Sequence, residues 1–116
     1  MDTPKIFDSE YRFCLILWRE EPINSTKLAR ICREELGWSR TTTYTVIKRL
    51  SDRGVVKNEN ATVRSLVSKE EVQAAEMEEL LEKTFEGSLP AFIAAFARRQ
   101  KLTEEEVAEL RRIIES

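Results

Sequence analysis

A chain of 116 residues, 41% hydrophobic and 34% charged, has the size and profile of one domain, or of two small units that share a core. It holds no histidine, two cysteines and three glycines. That excludes Ser-His and Cys-His catalysis in their usual forms, imidazole or four-thiolate zinc sites, and glycine-rich phosphate loops, so neither an enzyme nor a metal or other cofactor is expected. The net charge of −2 is unevenly spread: residues 1–68 carry twelve Lys/Arg against nine Asp/Glu, a net +3, whereas residues 69–116 carry seven against twelve, a net −5.

The first helix is expected to start near Ser9, with Asp8 or Ser9 as N-cap, and to run to about Glu20 before Pro22 stops it. Tyr11, Cys14, Leu15 and Trp18 form its apolar stripe, which makes Cys14 a packed small hydrophobe. Phe13 to Trp18 is the longest uncharged apolar run, too short to cross a bilayer, and no leader-like segment opens the chain. No membrane insertion and a cytoplasmic location are therefore expected. Asn24-Ser25-Thr26 offers cap oxygens to a second helix that ends at Leu36, with Gly37 beyond it in the left-handed position. Leu28, Ile31, Cys32 and Leu36 point inward; Lys27, Arg30, Arg33 and Glu34 stay wet.

The break Gly37-Trp38-Ser39 leads at once into a third helix over residues 40–53, capped by Ser39 and terminated by Gly54. Two helices joined by a small glycine-bearing turn form a helix-turn-helix pattern. Thr43, Val46, Ile47 and Leu50 share the inner face; Thr41, Thr42, Thr45, Lys48 and Arg49 lie opposite. Threonine is a poor helix former because β-branching restricts χ1. Its hydroxyl can bond base edges or phosphates and its methyl can meet that of thymine, so this concentration suits a helix set into a major groove. The plainer alternative is a solvent-exposed helix whose threonines cap their own first turn.

Val55-Val56 begins a strand, Asn58-Glu59-Asn60 is the expected turn, and residues 61–67 return, a ribbon in which Arg64 could reach a phosphate, the plainer alternative being a solvated strand arginine. Ser68-Lys69-Glu70-Glu71 is a capping box opening a long fourth helix with Val72, Ala75, Met77, Leu80, Leu81, Thr84 and Phe85 on its apolar side. A fifth helix follows Pro90 and is apolar almost all round through Phe92, Ile93, Ala95 and Phe96. Thr103-Glu104-Glu105-Glu106 opens a sixth, with Val107, Leu110, Ile113 and Ile114 inward. Residues 69–116 are too few for a secure core of their own, and a bare apolar surface of this kind calls for a partner. Pairing with a second copy through Leu80, Leu81, Phe85, Leu89, Phe92, Ile93, Phe96, Val107, Leu110, Ile113 and Ile114 is the expected remedy; folding back on the first half is the alternative. The fold class is thus mainly α: a winged helix-turn-helix of three helices and a small β-hairpin (residues 1–68), then a helical dimerisation region (residues 69–116). A twofold dimer would present its two third helices to sites about 34–36 Å apart on duplex DNA, or a multiple of that spacing.

Phe7-Asp8-Ser9-Glu10 leading to Leu17-Trp18, then Gly37-Trp38-Ser39-x-Thr41-Thr42-x-Tyr44-Thr45 leading to Arg49-Leu50, resembles the penicillinase repressor family, which includes methicillin-resistance and copper-responsive repressors. Leu66-Val67-Ser68-Lys69-Glu70-Glu71 and Glu86-Gly87-Ser88-Leu89 extend the resemblance along nearly the whole chain. It implies a bacterial homodimeric winged-helix repressor on a dyad operator of double-stranded DNA, often with TACA/TGTA half-sites. Thr41, Thr42 and Thr45 match the base-reading positions, with Arg40, Lys48 and Arg49 for phosphate and Ser39 and Tyr44 in the same segment. In members tied to β-lactam resistance, a membrane sensor-protease triggers a cut in the dimerisation part, and the matching position lies between Ala95 and Phe96. Three departures stand out. The hairpin is about four residues shorter, with Ala61 and Val63 at the aromatic sites; no cysteine follows Cys32, so the copper-responsive branch's Cys-x-Cys ligands are missing; and Arg40 replaces an uncharged residue. A winged helix that binds protein rather than nucleic acid is the alternative function, favoured by the acidic total charge and the reduced wing.

Overall fold

A computed structural model, which describes residues 3–116, runs α1 (Asp8–Glu20), β1 (Ile23–Asn24), α2 (Ser25–Leu36), α3 (Arg40–Asp52), β2 (Val56–Glu59), β3 (Thr62–Ser65), α4 (Lys69–Phe85), α5 (Leu89–Arg99) and α6 (Glu104–Glu115). It is mainly helical, with one small antiparallel sheet in the order β1-β3-β2. The chain divides into two units inside α4, after Glu76.

In the first unit α1 packs on α2 and β3, α2 on α3, and α3 on β2. Phe13, Leu17, Leu28, Leu50, Val55, Val56, Val63 and Val72 are fully buried between them. Each such Leu or Phe contributes about 1.5–3 kcal/mol relative to leaving it exposed. Three long-range bonds help close the unit: the Trp18 indole N–H donates to the Val67 carbonyl at 3.0 Å, and the Glu21 carboxylate accepts from Ser65 N at 2.7 Å and Ser65 Oγ at 2.8 Å.

Three local expectations shift. Helix α1 begins at Asp8, so Phe7 is its cap residue, and Glu10 Oε1 accepts the Phe7 amide at 2.9 Å. Its buried side holds Phe13, Cys14, Ile16 and Leu17, while Leu15 is exposed, because the helix is covered by α2 and β3 and needs more than one stripe. The hairpin turns at Asn60-Ala61, both at positive φ (52° and 63°), with Glu59 opposite Thr62. A two-residue turn of this handedness matches the twist of its strands. Strand β1, unforeseen, pairs Ile23 with Val63.

In the second unit Ser88 caps α5 by accepting the Ala91 amide at 3.1 Å, and Thr103 and Glu106 form the reciprocal box that starts α6. Helix α5 opens at Leu89, with Pro90 already inside its first turn, where a missing N–H costs nothing. Phe92 meets Phe85 edge to face at 5.6 Å and Phe96 at 6.2 Å. Yet of the described residues from Met77 onward, none is buried.

Candidate nucleic-acid interface

The turn ahead of α3 is fixed before any partner arrives. Gly37 takes φ 70°, a conformation that L side chains rarely adopt, and its amide closes α2 onto Arg33 O at 3.1 Å. Trp38 then stacks parallel to Phe13, ring centres 6.1 Å apart, which pins the turn to the core. Ser39 Oγ accepts the Thr42 amide at 3.1 Å, which caps the helix, and lies 2.8 Å from Thr42 Oγ1, so the Thr42 hydroxyl is tied to the cap residue.

From that start, helical periodicity sorts the side chains of α3 cleanly. Thr43, Val46, Ile47 and Leu50 are buried; Ser39, Arg40, Thr41, Thr42, Thr45, Lys48 and Arg49 are exposed. Tyr44 is half-buried. The Arg40 guanidinium lies over its ring, 5.5 Å from the centroid, and donates to its hydroxyl at 3.4 Å. The Thr26 hydroxyl and the Arg40 guanidinium hold the Tyr44 phenol below its usual range. Tyr44 therefore braces the leading end of α3 against the start of α2.

Lys48 pairs loosely with Asp52 at 3.8 Å, both well exposed. Arg64 sits on the outer side of β3 directly opposite Lys57, whose ammonium lies 3.4 Å from Glu59. Like charges facing each other across a hairpin are unfavourable unless an anion joins them. Among the described residues, Arg40, Arg49 and Arg64 have no acidic partner.

Sequence reasoning leaves Arg30 and Arg33 as solvated residues. The structure sets both, with Arg40, around one open groove of about 580 Å³ between α2 and the start of α3. Glu34, four residues after Arg30, stands at ion-pair spacing, but no such pair forms, and Glu35 is held by Arg19 at 2.5 Å. The signal in the sequence is the i, i+3 spacing of two arginines, legible only once the neighbouring helix is in place.

In the other unit Leu80, Leu89, Ile93, Phe96, Ile113 and Ile114 are exposed, Ile114 by 78%, while Leu81, Phe85, Phe92, Val107 and Leu110 are half-buried. Ala95 is half-buried and Phe96 exposed, both inside α5. Cys14 and Cys32 are buried; burial pushes their thiols up to about 12 and about 11. Among the described residues no group of three or more His, Cys, Asp or Glu is placed to hold a metal ion, and no helix is long and apolar enough to cross a membrane.

A family model described as penicillinase repressor matches residues 6–116. The methicillin resistance regulatory protein MecI of Staphylococcus aureus (strain Mu50) is 24% identical over 116 residues, covering 97% of this chain and 94% of its own. MecI of Mammaliicoccus sciuri is 23% identical with the same coverage. The penicillinase repressor of Bacillus licheniformis is 25% identical over 117 residues, covering 97% and 91%.

Proposed function

Because this chain belongs to the penicillinase repressor family, whose members are transcription regulators and not enzymes, we propose that it represses transcription as a homodimer that lays α3 of each subunit into half of a dyad-symmetric operator. The observation that carries this reading is the outward face of α3. Its leading end is pinned by the turn, capped by Ser39 and lined with threonines, and the cations Lys48 and Arg49 follow one turn later. Thr41, Thr42 and Thr45 read base edges; Arg40, Lys48 and Arg49 hold phosphates, and Arg64 on the wing takes one more. Thr42 must give up its Ser39 bond to do so, whereas Thr41 and Thr45 are free to act as they stand.

Residues 1–68 bind DNA and residues 69–116 dimerise, with the first turns of α4 rooted in the DNA-binding unit by Val72. The protein works in the cytoplasm, where the operator lies. Release follows cleavage between Ala95 and Phe96 under a membrane sensor-protease, a cut that opens the middle of α5 and so removes half of an apolar helix from the dimer.

The test is a gel-shift titration against genomic fragments at two salt concentrations. Selective retardation that weakens steeply with salt is expected. On the selected fragment, Arg49→Ala lowers affinity for all sequences alike and flattens the salt slope. Thr45→Ala costs about 1–3 kcal/mol at one base pair and leaves random DNA unaffected. Equal losses on operator and random duplex for Thr45→Ala would remove its base-reading role, and no retardation at low salt would leave a protein-binding winged helix.

A further inference from the structure

We propose that the groove between α2 and the leading end of α3 is a clamp for DNA backbone phosphate, worked by Arg30 and Arg33 together with Arg40, separate from the base-reading face. The proposal rests on the reading of α3 given above. The groove, about 580 Å³, is bordered by Thr26, Arg30, Arg33, Trp38, Ser39 and Arg40, and no carboxylate lines it. Arg30 and Arg33, at i and i+3, share one side of α2. Neither has an acidic partner among the described residues, and neither is buried. Three guanidinium groups gathered around one recess repel each other until an anion arrives, and a guanidinium matches phosphate oxygens in pairs.

The groove's position selects the anion. A helix with its side chains is about 10–12 Å across and fills a major groove about 12 Å wide, so residues beside its leading end meet a phosphate-lined wall. Ser39 and Arg40 belong both to that end and to the groove. The groove is open and its cations are wet, so a free phosphate would stay solvated and bind weakly. A backbone phosphate is delivered by the rest of the interface at high effective concentration.

The test compares the full-length protein with the double variant Arg30→Gln/Arg33→Gln, which keeps bulk and removes charge. Affinity falls roughly tenfold on operator and random duplex alike, and the slope of log affinity against log salt drops by about 0.9 for each phosphate left unneutralised. The operator-to-random ratio and the thermal midpoint stay unchanged, as does the slope for a control with equal charge loss, Arg98→Gln/Arg111→Gln. Duplexes carrying one uncharged methylphosphonate at a time locate the clamped phosphate: one flanking position weakens the parent protein and leaves the double variant indifferent. An unchanged slope, with Thr45→Ala still losing discrimination, overturns the clamp alone; a parent protein that binds no duplex at low salt overturns the clamp and the repressor reading together. Saturable binding of inorganic phosphate to the DNA-free protein, abolished in the double variant while the DNA slope is kept, assigns the groove to a free anion and also overturns it.

Discussion

Arg53 ends α3 by folding back over the start of α1. Its guanidinium donates to Lys5 O at 2.9 Å and to Glu10 Oε2, and lies 5.2 Å from the centre of the Phe7 ring. Glu10 is 6% exposed at the side chain and Arg53 28%, so the carboxylate depends on the arginine far more than the reverse. Arg53→Ala leaves that carboxylate buried with only the Phe7 amide, and a cost of about 2–3 kcal/mol is expected, at the low end for a broken buried pair because the arginine is partly wet. Urea unfolding measures it, and Glu10→Gln/Arg53→Met should recover most of the loss; a double variant as unstable as the single one would rule out the charge as the cause. The two thiols give a pH prediction. Burial holds Cys14 and Cys32 protonated to about 12 and about 11, against an ordinary value of 9.0. Above pH 9 the unfolded chain releases these protons while the native one keeps them, so stability falls as pH rises from 9 toward 11. Replacing both cysteines by alanine should flatten that fall, and native protein near pH ~8 should react with a maleimide only at the rate at which it opens.

The hairpin shows what an element asks of its residues. Asn60 and Ala61 both occupy left-handed conformations, tolerable for asparagine and costly for alanine. The turn is held regardless, since Ser25 N donates to Ala61 O at 2.7 Å, which ties the wing to the start of α2. Ala61→Gly relieves the strain without touching that bond, and a gain of about 0.5–1 kcal/mol in urea unfolding is expected; a loss would mean that the turn is not strained as described. The same turn marks where sequence reading stops. No preferred turn residue sits at position 61, so residue types alone put the reversal earlier, at Asn58-Glu59-Asn60. The two residues of β1 have no periodicity, and only the tertiary pairing of Ile23 with Val63 makes them a strand. Helices α2 and α3 are legible because each carries its own stop and start, Asn24, Gly37 and Ser39. Helix α1 is misphased by a single-stripe reading because its buried residues, Glu10, Phe13, Cys14, Ile16 and Leu17, span a wider arc than one i, i+3, i+4, i+7 stripe. Of the candidate interface, the periodicity of α3 discloses its outer face, whereas Arg30 and Arg33 become meaningful only when α3 supplies the other side of their groove.

At the scale of the whole chain, one fact governs the rest: from Met77 to Ser116 three helical segments fold without burying a single residue, while Ile93 and Phe96 stand 41% and 45% exposed and Ile113 61%. Isolated helices of this length are marginal in water, and most of a helix's stability comes from packing. The Ser88 cap, the Thr103-Glu106 capping box and the Phe85-Phe92-Phe96 ring pairs set the helices up but do not cover them. In the homodimer proposed above a second copy would supply the missing surface, and the acidic charge of residues 69–116 would keep that surface clear of phosphates. The melting temperature should therefore rise with protein concentration, as it does when association stabilises the folded state. Ile93→Glu/Ile113→Glu places two charges in the proposed seam, and sedimentation should shift from dimer to monomer. Operator affinity should fall by about a hundredfold as the two half-sites lose their linkage, because the second α3 no longer binds at the effective concentration set by the first. Affinity for a single half-site should stay the same, since α3 and its turn are built entirely from residues before Glu76. A parent protein that sediments as a monomer, or a variant that stays dimeric with full operator affinity, defeats this account. If half-site binding also disappears, the two units are coupled through α4, and the dimer then acts on α3 itself rather than only on its spacing.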